Sequence, residues 1–415
     1  MIEFRDYQKN IISRGTEILK DNGFLYLAME VRTGKTLTSL GIADQMGVEH
    51  VLFLTKKKAI SSIVGDYDLM CPASFILFTI NYESMHKLPQ NIKWDIVVID
   101  EAHSLGAIPK PNKRAKDVKA LIKKNKSKVI LMSGTPTPES YSQMYHQVYG
   151  IPNNPFREYV SFYKFAKDYV NVKQRMINSM MINDYSRGLE TIVDKMNPYT
   201  IRFTQKEAGF ENDIVEEVLE VEMDELTYSL SSKLKKNLVI EGKDDVILAD
   251  TPVKLMMKLH QMYSGTVKFE SGNSMILDLS KAKFIYDNFC VSKVGIFYKF
   301  KEELNALKEV YGDQLCTELE EFNSTDKTIA LQIVSGREGI SLRNAEFLVY
   351  YNIDFSATSY WQSRDRMTTK ESKLSKVFWI FAKDGIEKEI YKAVVKKKDY
   401  TLKHFKRDLL TLNKI

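Results

Sequence analysis

The stretch Trp94-Asp95-Ile96-Val97-Val98-Ile99-Asp100-Glu101-Ala102-His103 constrains the fold more than any other part of the chain. Its four consecutive apolar residues run straight into two carboxylates and then a histidine. A continuous apolar run of this kind reads as a strand buried on both faces, as in a parallel sheet covered by helices. The charges begin where the strand ends, at the edge where open α/β sheets bind ligands. There, Asp100 is placed to hold a magnesium ion and Glu101 to orient or deprotonate water. The competing reading is a strand followed by a helix N-terminus, which favours acids of either kind.

The upstream chain narrows that choice. Phe24 to Met29 is a second buried-strand run, followed by Glu30-Val31-Arg32-Thr33-Gly34-Lys35-Thr36 and a helical pattern from Leu37 to Met46. Strand, tight turn, Gly-Lys-Thr and helix together read as a phosphate-binding loop. Its backbone amides and helix N-terminus would bind phosphates, Lys35 would neutralise them, and Thr36 would ligate magnesium. The wide pattern G-x-x-x-x-G-K-T is incomplete, because Met29 occupies the first glycine position. Ahead of it, Phe4 to Lys9 opens an amphipathic segment with Ile11, Ile12, Ile18 and Leu19 roughly on one face. Gln8 in this segment carries an amide that both donates and accepts, as adenine recognition requires.

Three more strands are expected at His50 to Thr55, Ser74 to Thr79 and Val129 to Met132. The first ends in Lys56-Lys57-Lys58, which suit either phosphates or solvent. The second leads into Asn81-Tyr82-Glu83-Ser84, and the third runs into Ser133-Gly134-Thr135-Pro136. Small hydroxyl residues at a strand end can hydrogen-bond a carboxylate and sense its state. The lysine-rich stretch from Ser104 to Lys128 reads as a loop and then a helix. It fits a phosphate backbone and a solvated face equally well.

Composition excludes other classes. A chain of 415 residues holds two or three domains. With 44% hydrophobic and 27% charged residues it is an ordinary globular sequence. No apolar run approaches a bilayer span, and MIEFRDYQKN does not read as a signal peptide. Cys71, Cys290 and Cys316 are isolated, and His50, His86, His146 and His260 lack ligand spacing, so neither a disulfide framework nor a zinc site is expected. A reducing cytoplasm fits this pattern. The net charge of +6 permits nucleic acid as a partner without requiring it.

Between about Tyr141 and Gly265 the alternation of strand and helix stops. Phe156, Tyr159, Phe162, Tyr163, Phe165, Met176, Met180 and Met181 are expected to fill the core of a helical insertion. Pro198 to Phe203 and Val215 to Met223 read as extended, and Gly242 to Asp250 as a polar exposed loop. The alternation restarts at Lys293 to Tyr298, with a helix from Lys301 to Tyr311. Strands follow at Thr328 to Val334, Phe347 to Tyr351 and Val377 to Ala382. Gly336 and Gly339 mark either a close approach of backbone to phosphate or a simple loop. Tyr360 to Arg366 is arginine-rich, and an arginine reaching a phosphate site would stabilise charge in the transition state. The segment Gly385 to Ile390 and the lysine-rich tail after it should be helices.

In chain order, the segments around Gln8, Gly34-Lys35-Thr36, Asp100-Glu101-Ala102-His103 and Ser133-Gly134-Thr135 resemble the motifs of superfamily two helicases. Within them FRDYQ, NYES, IDEAHSL, PNKRAK and LMSGTPTPES most resemble Swi/Snf-type DNA translocases. Gln362, Asp365 and Arg366 match the family's last motif, Q-x-x-D-R. The chain departs from the family pattern at two places. Arg32 stands where such proteins usually keep a glycine, and Thr369 stands where they usually keep a second arginine, so that either Arg364 or Lys370 substitutes or γ-phosphate sensing is weaker.

The resemblance implies an α/β protein of two RecA-like parallel-sheet lobes with a largely helical insertion between them. The expected spans are an ATP-binding lobe over 1–145, an insertion and connection over 146–265, a second lobe over 266–384 and a helical brace over 385–415. It implies ATP and Mg2+ as cofactors. Gln8, Arg32, Thr33, Gly34, Lys35, Thr36, Gly339 and Arg366 would bind nucleotide, and Thr36 and Asp100 would hold the metal. Glu101, with Asp100, Lys35 and Arg366, would carry hydrolysis. His103, Ser133, Thr135 and Gln362 would couple nucleotide state to nucleic acid. The implied partner is double-stranded or forked DNA, with movement 3′ to 5′ on the tracked strand, in a bacterial cell or phage-infected host. The rival readings are a strand-separating or branch-migrating helicase on DNA or RNA, and an ATP-gated DNA-binding clamp with little turnover.

Overall fold

The computed structural model describes residues 3–177, 180–209, 213–242, 245–333, 342, 344–364, 374–396 and 405. The chain forms two compact units, residues 1–209 and 210–415. Among the described residues, each unit is built on one six-stranded parallel sheet. No described helix is long and apolar enough to cross a membrane.

In the first unit the strands are β1 (Phe24–Met29), β2 (His50–Thr55), β3 (Ile76–Asn81), β4 (Ile96–Ile99) and β5 (Lys128–Met132). A separate hairpin follows, β6 (Lys173–Ile177) with β7 (Met180–Asp184), and β8 (Thr200–Phe203) returns to the sheet. The sheet order is β3-β2-β4-β5-β1-β8. Successive side chains of a strand point to opposite faces, and here both faces are covered. Leu25, Leu27, Phe53, Val98 and Ile130 pack with Ile11, Ile12 and Leu19 of α1 (Asp6–Asn22) and with Leu40 and Ile42 of α2 (Lys35–Gln45). Phe24, Leu52, Leu54, Val97 and Leu131 pack on the other face, with Val118 and Ile122 of a helix at Lys113–Asn125. Full burial of a side chain of this size contributes about 1.5–3 kcal/mol, so the uninterrupted apolar runs read from the sequence are the physical cause of a sheet sandwiched by helices. α1 ends at Gly23, whose φ of 75° lets the chain reverse into β1.

The lysine-rich stretch is a loop and then the helix Lys113–Asn125, which Asn112 caps by accepting from Ala115 N at 2.8 Å. Its Ala115, Val118 and Ile122 are buried and most of its lysines face solvent. Phe156, Phe162 and Phe165 are buried, as the sequence suggests, but in the core of the first unit. Met176 and Met181 depart from that expectation. They are 73% and 58% exposed on the β6–β7 hairpin, a two-stranded ribbon with no described sheet beside it to cover them. The strand expected at Ser74 to Thr79 lies two residues later, at an edge where Ile76 is exposed.

The second unit starts with β9 (Asp213–Val221) and two hairpins, β10 (Val239–Glu241) with β11 (Val246–Leu248) and β12 (Thr266–Lys268) with β13 (Ser274–Ile276). Its sheet is completed by β14 (Val294–Tyr298), β15 (Leu315–Cys316), β16 (Thr328–Gln332), β17 (Phe347–Tyr350) and β18 (Leu374–Ala382), in the order β15-β16-β14-β17-β18-β9. The expected polar loop at Gly242 to Asp250 is in part the strand β11, because Ile247 and Ala249 are drawn into the core. Both stretches read as extended in the middle of the chain become edge strands, β8 of the first sheet and β9 of the second. The middle of the chain therefore belongs to the two units themselves, which divide at 209/210. The helix Glu387–Val394 buries Ile390 and Val394 against the second core. It is pinned there by Glu387, whose carboxylate takes Lys281 Nζ at 2.6 Å with both side chains fully buried.

Candidate active site

The neighbouring strands β4, β5 and β1 of the first sheet run parallel, so their C-terminal ends lie side by side. Those ends carry the acid pair, the Ser-Gly-Thr turn and the phosphate-loop sequence. At the loop, Arg32 and Gly34 have φ of 62° and 80°. A left-handed backbone costs a residue with a side chain about 1–2 kcal/mol, which is why a glycine is usual at position 32 and why Arg32 is a strained departure. Gly34 has a second constraint: a Cβ there would meet Gln8 Nε2 at 2.5 Å. Thr33 is fully buried, its hydroxyl donating to Glu30 O at 2.8 Å. Helix α2 begins at Lys35 with no side-chain cap, leaving its first amides to an anion. Lys35 Nζ donates to Glu30 O at 3.4 Å, and Thr36 follows as the second residue of the helix.

Gln8 is buried, and its Oε1 accepts from Arg5 N at 3.0 Å, capping α1. Its amide oxygen is thus used within the helix, while its nitrogen faces the phosphate loop.

The acid pair is held at several points. Asp100 Oδ2 accepts from Thr55 Oγ1 at 2.8 Å and Oδ1 from Glu101 N at 3.0 Å. Burial, then the neighbouring negative charge of Glu101, pushes the Asp100 carboxyl above its usual range. Burial acts on Glu101 in the same direction, but His103, Lys35 and Lys56 outweigh it and hold that carboxyl low. Glu101 sits in the left-handed region at φ 49° and ψ 47°. Its Oε2 is 3.2 Å from His103 Nδ1, which is 3.0 Å from Ser133 Oγ, and that hydroxyl accepts from Thr135 N at 3.1 Å. Carboxylate, imidazole and the Ser133–Thr135 turn thus form one continuous chain. Gly134 places the turn against the loop lysine, since a Cβ there would stand 3.6 Å from Lys35 Nζ.

Glu101 Oε2 is buried with the His103 imidazole beside it, and Thr135 Oγ1 is buried with no hydrogen-bond partner among the described residues. Buried polar atoms are normally paired, so the orphan hydroxyl of Thr135 at this strand edge marks where a polar ligand fits. A buried carboxyl pushed up by its neighbour is also what a divalent cation would return to the ionised form. Loop, lysine, acid pair and the orphan hydroxyl together suit a magnesium-bound phosphate and the water that attacks it.

The structure thus brings Gln8, Arg32, Thr33, Gly34, Lys35, Thr36, Asp100, Glu101, His103, Ser133 and Thr135 to one edge of the first sheet. Gly339 and Arg366 lie outside the described residues, as do Lys370 and Thr369, and the side chain of Gln362 is likewise not described. Arg364, a candidate substitute for the second arginine, donates instead to Glu216 Oε1 of β9 at 3.2 Å and stacks on Trp361 at 4.1 Å. Glu216 also accepts from the Tyr360 hydroxyl at 2.7 Å, Trp379 Nε1 at 2.9 Å and the Tyr391 hydroxyl at 3.1 Å. Arg364 therefore helps to build the second unit.

Sequence reading missed three contributors. Thr55 was hidden as the last residue of a strand, its meaning set by β2 lying beside β4. Tyr82 donates its hydroxyl to the main-chain carbonyl of Asp100. Gln205 braces the phosphate loop, its backbone donating to Glu30 Oε2 at 2.8 Å and its side chain to Val31 O at 3.0 Å. That contact exists because β8 pairs with β1, and no local signal announces it.

A protein-family profile described as SNF2-related domain matches residues 54–266, just over half of the chain. The matched span holds the acid pair, His103 and the Ser133–Thr135 turn. No protein of curated function matches the chain. Among solved structures it is similar to the Sulfolobus solfataricus SWI2/SNF2 ATPase core domain, at 15% identity and a TM-score of 0.42, over 96% of this chain and 89% of that chain.

Proposed function

Because the chain belongs to the SNF2-related family, we propose that it is an ATP-dependent DNA translocase of the Swi/Snf type, which couples Mg-ATP hydrolysis to movement along double-stranded or forked DNA. The setting we propose is the cytoplasm of a bacterial cell or phage-infected host. The observation that carries the catalytic part is the buried run from Glu101 Oε2 through His103 and Ser133 to the unpartnered Thr135 Oγ1, beside the lysine of the phosphate loop.

When bound, Mg-ATP supplies the anhydride bond whose cleavage drives the cycle. In this reading the amides from Arg32 to Thr36 cradle the phosphates and Lys35 neutralises their charge. Thr36 and Asp100 hold the metal, with Thr55 keeping Asp100 in orientation. Glu101 accepts a proton from the attacking water at Oε2, the oxygen nearest His103. His103 and the Ser133–Thr135 turn register the state of Glu101, since any displacement of its carboxylate alters their shared contacts. Gln8 orients the base through its nitrogen. The roles of Gly339, Gln362 and Arg366 rest on the resemblance alone.

The test is steady-state ATP hydrolysis without nucleic acid and with single-stranded, duplex and forked DNA and RNA, alongside Glu101→Gln. Stimulation by duplex or forked DNA is expected, with the substitution lowering kcat by at least about a hundredfold. Stimulation by RNA alone would replace the DNA reading with an RNA helicase, and unwinding of a forked substrate would add strand separation. Negligible turnover on every substrate, with ATP still bound, would leave the clamp reading and sink the motor.

A further inference from the structure

Tyr82 opens a short 3-10 turn, Tyr82–Lys87, directly after β3, and is 4% exposed. Its hydroxyl meets the Asp100 carbonyl, which belongs to the peptide unit joining the two carboxylates. The other end of that unit, Glu101 N, donates to Asp100 Oδ1 at 3.0 Å. One residue back, Asp100 N donates to Leu54 O at 2.9 Å. Both polar groups of the Asp100–Glu101 peptide are therefore pinned, and with the peptide plane set, the left-handed φ of 49° at Glu101 decides where its carboxylate points. Released from Tyr82, a residue in this disfavoured region has reason to rotate away.

Tyr82 is itself clamped. The Arg114 guanidinium lies 4.4 Å from the centre of its ring, and Glu83 holds Arg114 at 2.7 Å. A groove of about 860 Å3, lined by Tyr82, Glu83, Arg114 and Trp94 among others, opens over this clamp.

We infer that Tyr82 is a positioning residue for hydrolysis: its hydroxyl sets the Asp100–Glu101 peptide so that Glu101 faces His103, and Arg114 with Glu83 keeps the ring in place. The inference rests on Glu101 being the residue that activates water. Tyr82 does not touch nucleotide in this account; it acts through the backbone. The clamp links the lysine-rich helix Lys113–Asn125 to the acid pair through one side chain.

The experiment compares Tyr82→Phe and Arg114→Met with the parent and with Glu101→Gln, at saturating DNA. It reads kcat, KM for ATP, the Kd of a non-hydrolysable ATP analogue and the thermal midpoint. Tyr82→Phe keeps the ring and its packing. It should lower kcat about tenfold or more, as expected of a small misplacement of a reacting group, while analogue Kd stays within about twofold. Arg114→Met should shift kcat the same way by less. A Tyr82→Phe enzyme with parental kcat, while Glu101→Gln is dead, would overturn the inference alone. So would a loss shared by kcat, analogue affinity and midpoint, the mark of a structural role. A parent with no turnover on any substrate would overturn the functional reading and this inference together.

Discussion

At the residue scale, the phosphate loop shows how a departure from a pattern acquires a physical meaning. Position 32 requires a φ of 62°, so the arginine there bears a strain of about 1–2 kcal/mol that glycine would not. Glycine would also loosen the unfolded chain, at a cost of about 0.5–1 kcal/mol. Arg32→Gly is therefore expected to leave stability within about 1 kcal/mol of the parent. Gly34→Ala should lose more, because the new methyl meets both a φ of 80° and Gln8 Nε2. Urea denaturation of the two variants checks this, and equal midpoints would show that the loop relaxes freely. The type of residue needed at position 34 was legible from Gly-Lys-Thr. The strain at position 32 was not, since only the folded turn gives it a dihedral angle.

At the element scale, the second unit binds its parts with buried polar groups. His260 of the helix Pro252–Met262 pairs its Nε2 with Asn352 Oδ1 at 2.6 Å, just beyond β17, and Asn352 Nδ2 donates to Glu303 at 2.6 Å on the helix Lys301–Tyr311. Burial, with Lys299 and Lys281 nearby, holds the His260 imidazole well below its ordinary value. Its Nδ1 is buried without a hydrogen-bond partner among the described residues, so a second proton has no acceptor. The folded state therefore resists protonation that the unfolded chain accepts near pH 6.5. Stability contributed by the neutral ring is present above that pH and is lost as pH falls, by up to about 1.4 kcal/mol per unit. Burial raises the carboxyl of Glu303, which works in the opposite sense at lower pH. His260→Gln separates the two. Urea midpoints between pH 7 and 5.5 should fall more steeply for the parent than for the variant, and parallel slopes would refute the assignment. The sequence showed His260 only as an isolated histidine with no ligand spacing; its partner Asn352, and Glu303 beyond it, come from elements that local pattern cannot join.

At the scale of the whole molecule, each unit owns its core. The two clusters that sandwich the first sheet are built entirely from residues 1–209, and the cluster of the second sheet from residues 210–415. Residues 1–209 expressed alone should therefore fold, with β8 retained to brace the phosphate loop through Phe203 and Gln205. A single cooperative thermal transition by circular dichroism is the expected result, and a fragment without one would show that its core needs the rest of the chain. The sequence by itself determined what is local: the apolar runs at 24–29, 50–55, 96–99 and 129–132, the helix after Gly-Lys-Thr and the one in the lysine-rich stretch, and the residue types at each strand end. Those features are written in neighbouring residues, because burial on two faces demands unbroken apolar runs and a phosphate turn demands Gly-Lys-Thr. Only the tertiary structure decided which ends meet. The strand order β3-β2-β4-β5-β1-β8 sets Thr55 and Tyr82 on Asp100, Gln205 on the phosphate loop and Ser133 on His103. Glu216 on Arg364 was settled in the same way, by β9 joining the second sheet beside β18. Pairing between strands is set by packing between residues far apart in the chain, and no local spacing encodes it.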